Sequence, residues 1–314
     1  MKQAMSLEWT IGMMLVAFFG TAVLGLASKW VDRKVTALVQ WRVGPPWYQP
    51  VADVAKLLGK ETLVPENARR TGFLLAPIIG FSAVGVAAAI LWSVNVDPAH
   101  SFMGDLIVVL YLLTIPSLAV VIGGCSSANP HGAMGASREM KLILSYELPF
   151  LLAMVPAMIA GGWTLRLGAI VTAPSASVWM TLAMIVGFLV GLLCIQAKLG
   201  LVPFDCAEAE TEIMGGAFCE YSGPPLAVVY LMRAMMLAVL PMLLITVFWG
   251  GFSFAGVGVA CASVLKYVLV IVIIVLVRNT NPRVRIDHAM KFFWYGLTPI
   301  AVVAVALALI GGVQ

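Results

Sequence analysis

The sequence predicts an all-α, polytopic integral membrane bundle of about eight transmembrane helices, with one further amphipathic helix at the membrane surface. Three observations carry that expectation. Of 314 residues, 61% are hydrophobic and only 11% charged, against roughly 45–50% and about 25% in soluble domains. The apolar residues fall in runs of the ~20 that a helix needs to cross the hydrocarbon core, too long for the alternating strands of a membrane barrel. The basic residues gather in alternate connections, as the positive-inside rule requires. A single transmembrane domain over residues 1–314 follows.

The first run covers 8–28. Residues 1–10 lack the basic stretch and small-residue cleavage site of a secretory signal, so this span is expected to be retained. A long connection, 29–71, holds Lys29, Arg33, Lys34, Arg42, Lys56, Lys60, Arg69 and Arg70. Within it, Gly44, Pro45, Pro46 and Pro50 define a stiff turn, and Trp47 and Tyr48 fit equally a membrane-belt anchor and a docking surface. The segment 51–61, VADVAKLLGKE, places Val51, Val54, Ala55 and Leu58 on one face of a helix suited to lie in the interface.

Seven further spans are expected at 72–94, 103–124, 142–161, 177–197, 225–248, 252–277 and 292–312. Pro116 follows Thr114 in the third and Pro299 follows Thr298 in the eighth. Each predicts a break in the backbone ladder that faces protein rather than lipid. Asp105 reads as a helix cap. Arg138, Lys141, Lys198, Arg278, Arg283, Arg285 and Lys291 fall on the same side as the first basic loop, and only Lys2 and Arg166 fall opposite. That side is therefore expected to be cytoplasmic, with both termini outside. Its loops, about 29–71, 125–141, 198–224 and 278–291, are long and rich in Gly, Pro, Arg and acids, which marks them for function or docking.

The sharpest constellation is 199–224, LGLVPFDCAEAETEIMGGAFCEYSGP, with five carboxylates and no Lys or Arg. Asp205, Glu208 and Glu212 fall at i, i+3 and i+7, one stripe of a helix expected after Pro203. Glu210 points elsewhere, and Glu220 follows the Gly215–Gly216 break. A solvated acidic loop is one reading. The interleaved Ile213, Met214, Ala217 and Phe218 favour a partly buried one, in which carboxyl groups cannot all ionise and suit proton uptake. Three ionisable residues stand alone in spans: Glu147, Arg233 and Lys266. A charge at mid-membrane costs roughly 2.5–3.5 kcal/mol, so each is expected to face the bundle, as an inter-helix ion pair or in proton movement. Glu147 is the relay candidate, because a carboxyl both gives and takes a proton. In the last loop, Arg278, Arg283 and Arg285 fit anionic lipid, or pairing with Asp287 and with acids of a docked soluble subunit.

The five cysteines form no CxxC pair and no ligand spacing with histidine. His131 and His288 are single, and there is no phosphate loop, dinucleotide fingerprint or nucleophile elbow. No metal or cofactor is expected on this chain.

The strings DRKVTALVQWRVGP (32–45), QPVADVAKLLGKE (49–61), SYE (145–147), VPFDCAEAETEIMGGAFCEYSG (202–223) and RNTNPRVRIDHAMKFFW (278–294) resemble the quinone-site membrane subunit of respiratory complex I. The homologue of that subunit is the small membrane subunit of energy-converting [NiFe] hydrogenases. The short RVGPPWYQ stretch is similar to the hydrogenase branch. Arg233, in LMRAM, stands in or next to a position where the family tends to carry an acid. The resemblance implies an eight-helix bundle beneath a [NiFe] hydrogenase-like large subunit and an iron–sulfur small subunit, beside antiporter-like membrane subunits, with ferredoxin as the indirect donor. It implies proton or sodium coupling through Asp205, Glu208, Glu210, Glu212, Glu220, Glu147, Arg233 and Lys266. It also implies docking of the redox module on Arg42, Trp47, Tyr48, Gln49, Asp53, Lys56, Arg278, Arg283, Arg285 and Asp287. The [NiFe] centre and clusters would lie in the partners. Rival expectations are a quinone-reducing or sulfur-reducing relative, and a self-sufficient secondary transporter. The last lacks the two related halves such folds often show.

Overall fold

The computed structural model describes residues 7–173, 177–253 and 256–312, with the side chains of 7–11 and 210–211 outside the description. Eight of its helices are long and apolar enough to cross a membrane. In chain order the elements are α1 (Leu7–Val39), α2 (Gln49–Leu58), α3 (Arg70–Val96), α4 (Asp105–Leu112), α5 (Ile115–Ser126), α6 (Pro130–Ala160), α7 (Leu167–Val171), α8 (Val178–Lys198), α9 (Glu210–Ile213), α10 (Gly223–Phe248), α11 (Val257–Thr280), α12 (Ile286–Lys291) and α13 (Thr298–Gly312). The spans are α1, α3, α4 with α5, α6, α8, α10, α11, and α12 through α13.

Two spans are longer than the sequence predicts. The first continues to Val39, and the fourth begins at Pro130 rather than near 142. Much of the expected loop 125–141 is therefore helix. The physical signal is local: Pro130 sits at the first helical position, where its missing N–H is not needed, and the Asn129 side chain accepts from the His131 N–H at 2.9 Å. At 31 residues α6 is about 46 Å long, so one end projects well beyond a hydrocarbon core of about 30 Å.

Both proline breaks occur, in different forms. The third span is interrupted at Leu113–Thr114, and Pro116 is buried at the start of α5, as a protein-facing break requires. In the eighth, a π-helical turn over Phe292–Leu297 precedes Pro299. Thr298 Oγ1 donates to the Phe293 carbonyl at 2.8 Å there, and the wider turn takes up the missing proline donor. Pro299 itself is exposed, so this break does not face protein as expected. Asp105 caps a different helix from its own: its carboxylate accepts from the Leu167 N–H at the start of α7, at 2.7 Å.

The axis of the bundle is α10, 78% buried over its most apolar window, against 22% for α1, 33% for α11 and 28% for the last span. It packs on α1, α3, α8 and α11. Contact with α1 is backbone-close at Gly25, where a Cβ would lie 2.6 Å from the Ala234 oxygen. The acidic segment between α8 and α10 folds over one end of the bundle, and a Cβ on Gly135 would lie 2.6 Å from the Ala217 nitrogen of that segment. No helix follows Pro203 there: the chain makes turns, the four-residue α9, and left-handed residues at Met214, Gly215 and Gly216. The stripe expected for Asp205, Glu208 and Glu212 is thus absent. The segment is tied instead to the last loop, through Val284 N–H to Pro203 C=O at 3.0 Å and Cys206 Sγ to Val284 C=O at 3.3 Å. Burial raises the Cys206 thiol to about 11 and keeps it neutral.

Candidate functional site

The acids of the folded-over segment each meet a different partner. Asp205 pairs with Arg283 at 3.1 Å, Glu208 with Arg233, and Glu212 with Arg138 at 2.5 Å. Glu220 accepts from Asn129 Nδ2 at 2.5 Å. The side chain of Glu210 lies outside the described residues. The sequence predicts a cluster of like charges; the fold instead pairs Asp205, Glu208 and Glu212 each with a cation, from the last loop, α10 and α6, and gives Glu220 a neutral amide.

Arg233 is the pivot. Its guanidinium holds Glu208, lies 4.3 Å from the Phe218 ring centroid, and lines three cavities. The first, about 40 Å³, reaches inward to Ser117, Glu139 and Lys198. The second, about 210 Å³, is walled by Lys29, Asp205, Arg278 and Arg283. The third, about 270 Å³, runs past Phe218, Cys219 and Tyr230. Glu208 lines all three, so the Glu208–Arg233 pair stands where they meet.

Beyond it lies a buried polar file. Helix α6 presents Glu139, Tyr146 and Glu147 at i, i+7 and i+8, a shared helical face. Glu139 is 7% exposed and interacts with Ser117. The Tyr146 hydroxyl is 3.4 Å from Ser117 Oγ. The Lys198 side chain is fully buried at the end of α8, its ammonium 3.3 Å from Glu147 Oε2 and donating to Thr114 Oγ1 at 3.1 Å. Thr114 Oγ1 is in turn 3.1 Å from Glu147 Oε1. The ammonium also lies 4.8 Å from the Phe150 and 5.5 Å from the Tyr146 ring centroids. The α4–α5 break thus places Thr114 between a buried acid and a buried base.

Of the sequence-nominated residues, the structure gathers Asp205, Glu208, Arg233, Arg278 and Arg283 around neighbouring cavities that share Glu208 and Arg233 as lining, and puts Glu147 at the end of the file. Lys266 stands apart: its amine donates to the Trp249 carbonyl at 3.2 Å, capping the far end of α10. Arg278 and Arg283 are engaged within the chain, Arg278 with Asp32 at 2.9 Å and Arg283 with Asp205. Arg285 and Asp287 are exposed.

The first loop divides in the same way. Arg42, Trp47 and Tyr48 are exposed, with Trp41 and Val43 each 98% open beside them. Asp53 is held by Arg33 at 2.7 Å and by Gln49 Nε2 at 2.9 Å. Partial burial would raise the Asp53 carboxyl, but these two hydrogen bonds outweigh it and hold it below its ordinary value. Arg33 also donates to Tyr230 on α10 at 2.9 Å, which docks α2 on the bundle. Lys56, Val51, Ala55 and Leu58 of α2 point outward.

Sequence reasoning passed over Glu139, because it sat in a presumed loop, and treated Lys198 and Lys29 as flanking charges. Glu139 was findable from its i, i+7, i+8 spacing with Tyr146 and Glu147. Nothing in the sequence pairs Lys198 with Glu147. Among the described residues no His, Cys, Asp and Glu group is arranged to hold a metal ion.

An eight-span helical bundle with a file of buried charges beneath an acidic, partly buried loop defines a class: polytopic membrane proteins that hold ionisable groups inside the bundle. The chain belongs to the NADH dehydrogenase family, whose sequence profile matches residues 11–309. It is 31% identical to the H subunit of NADH-quinone oxidoreductase from Thermomicrobium roseum, over 97% of this chain and 96% of that protein. It is 34% identical to the corresponding protein of Anoxybacillus flavithermus, over 93% and 90% respectively. Its fold is similar to a chain in the structure of the membrane-bound sulfane sulfur reductase, an archaeal respiratory membrane complex. That likeness has a TM-score of 0.83 and 28% identity, covering 96% of this chain and 99% of that one.

Proposed function

We propose that this chain is the membrane subunit of an energy-converting hydrogenase complex. In this reading it anchors a peripheral module, whose [NiFe] centre and iron–sulfur clusters lie in partner subunits, and couples ferredoxin-linked H2 chemistry to proton or sodium translocation. The loop face lies in the cytoplasm and both termini lie outside. Arg42, Trp47 and Tyr48, with Arg285 and Asp287, form the open face on which the module docks. Antiporter-like subunits flank the bundle and complete the ion path.

The observation that carries the coupling is the Glu208–Arg233 pair at the meeting of three cavities. A movement of segment 199–222 that separates the pair leaves a carboxylate and a guanidinium facing a polar cavity that leads to Glu139 and Lys198. Separation makes Glu208 a better proton acceptor, because an opposite charge within a few ångströms is what holds a carboxylate ionised. Redox work done above the loop is thereby expressed as proton affinity below it. Arg233 also supports the quinone-free branch, since a cation takes the place of a relay acid.

Replacing Glu208 by Gln is expected to lower ion translocation per electron at least tenfold. Glu212→Gln, at a 49% exposed pair with Arg138, should change it less than threefold. Wild-type pumping in Glu208→Gln would sink the assignment. The branch is decided by the metal of the purified complex. About one nickel per complex identifies the hydrogenase, followed by H2 evolution from reduced ferredoxin. Iron–sulfur clusters without nickel would favour the second reading, a sulfur-reducing complex, which the likeness to the sulfane sulfur reductase supports.

A further inference from the structure

We propose that Lys198 is the proton-carrying residue between the inward cavity and Glu147, with the Thr114 hydroxyl as the bridge. This inference rests on the coupling role argued above and names the group that performs its innermost step.

Four observations place the amine in that role. First, its side chain is wholly buried, yet it lines the small cavity together with Glu139, Ser117, Glu208 and Arg233. A volume of about 40 Å³ holds more than one water molecule, since one needs about 10–15 Å³. The cavity therefore has room for water between the Glu208–Arg233 pair and the amine. Second, two routes lead from the amine to Glu147: the direct contact at 3.3 Å to Oε2, and Thr114 Oγ1, which lies 3.1 Å from both Lys198 Nζ and Glu147 Oε1. A hydroxyl accepts with a lone pair and donates with its single proton; that proton also reaches the Leu110 carbonyl at 3.1 Å, so Thr114 completes a two-bond wire when its hydroxyl turns from Leu110 to Glu147 Oε1.

Third, the other titratable groups nearby, Glu139 of the same cavity included, make no described hydrogen bond to Thr114 or Glu147. The Tyr146 hydroxyl faces Ser117, Glu139 meets Ser117, and the Cys194 thiol sits one turn back on α8. Fourth, the wire sits at the only interruption of the third span, between α4 and α5, where the backbone can shift without breaking a continuous ladder.

The step balances without a further reactant. The Lys198 ammonium gives one proton to Thr114 Oγ1 as Thr114 gives its own to the Glu147 carboxylate. An ion pair becomes a neutral amine beside a carboxylic acid. Glu147 then releases its proton onward, and the amine takes a new one from the cavity. Lysine suits this exchange and arginine does not, because a guanidinium stays protonated in proteins.

The test uses inverted membrane vesicles carrying the intact complex, with reduced ferredoxin as donor and a pH-sensitive dye reporting proton uptake. Lys198→Arg keeps the charge and the ring contacts but cannot lose its proton. It is expected to assemble with its partners and to lower proton uptake per electron at least tenfold. Uptake within twofold of wild type would show that only a fixed cation is needed, and would overturn the proposal. The double variant Lys198→Met with Glu147→Gln removes both charges and leaves neither alone, so it decides the matter if the arginine does not fit. An assembled double variant that still takes up protons overturns the proposal. Glu208→Gln runs in parallel. If Lys198→Arg pumps normally while Glu208→Gln does not, only this inference falls. If both pump normally, the coupling role falls with it.

Discussion

Asp32 is 1% exposed and faces two cations, Arg278 at 2.9 Å and Lys29 at 3.3 Å. Asp53, more open, holds Arg33. Charge arithmetic treats the two pairs alike, but burial separates them. Removing one member of a fully buried pair costs about 3–5 kcal/mol; Arg278 and Lys29 keep 33% and 24% exposure, so the loss of buried Asp32 falls below that range but above the about 0.2–1 kcal/mol of a partly exposed pair. Asp32→Ala is therefore expected to lower the apparent melting temperature of the detergent-solubilised complex several times more than Asp53→Asn; equal shifts would mean that Arg278 finds another anion. The Asp53 pair should also be pH-dependent with a definite sign. Because its carboxyl is held below the ordinary 3.8, its stabilisation is complete above that value and is lost as pH falls through the lower folded one. Proteolysis of loop 40–60 should accelerate below about pH 4 in wild type, but not in Asp53→Asn.

At the scale of elements, the spans were legible because lipid leaves one signature, a run of apolar residues, and nothing else in the chain competes with it. Boundaries were lost where helices outlast the bilayer. Residues 29–39 and 130–141 carry charges that read as loop, yet Asp32, Arg33, Arg138 and Glu139 all stay on helices because the fold supplies each with a partner. The acidic string was legible as a partly buried segment, but the helix expected after Pro203 does not form. Its cations arrive from distant segments, Arg138 lying 74 residues from Glu212, and no local rule reports them. Packing between helices is equally invisible until backbones meet. Gly25 touches Ala234 beside Arg233, whereas Gly20, on the same helix, has nothing within 4 Å. Gly25→Val should cost about 1–3 kcal/mol by overpacking and disturb the neighbouring pivot, with Gly20→Val near neutral. Melting of the two variants side by side checks this, and similar behaviour would mean that α1 yields at no cost.

For the whole molecule, an even number of spans puts the two termini on one side and all four basic connections on the other. The same asymmetry separates chemistry from scaffold. The acidic segment, the cavities meeting at Arg233 and the exposed Trp41–Tyr48 ridge share the basic end, while the opposite end holds hydrogen-bonded caps such as Asn95 to Thr246 at 2.9 Å and the Lys266 amine to the Trp249 carbonyl. Under the proposed coupling role a redox module would act on the file from the basic end, which requires that end to face the compartment of the proposed donor, reduced ferredoxin. Epitope tags at the N- and C-termini test the requirement in intact spheroplasts carrying the assembled complex. Both tags should be cleaved by external protease without permeabilisation. Protection of both would put the acidic segment outside and remove the physical route from donor to Glu208. One tag cleaved and one protected would mean an odd number of crossings, and the third span, broken at Thr114, would then be the first to re-examine.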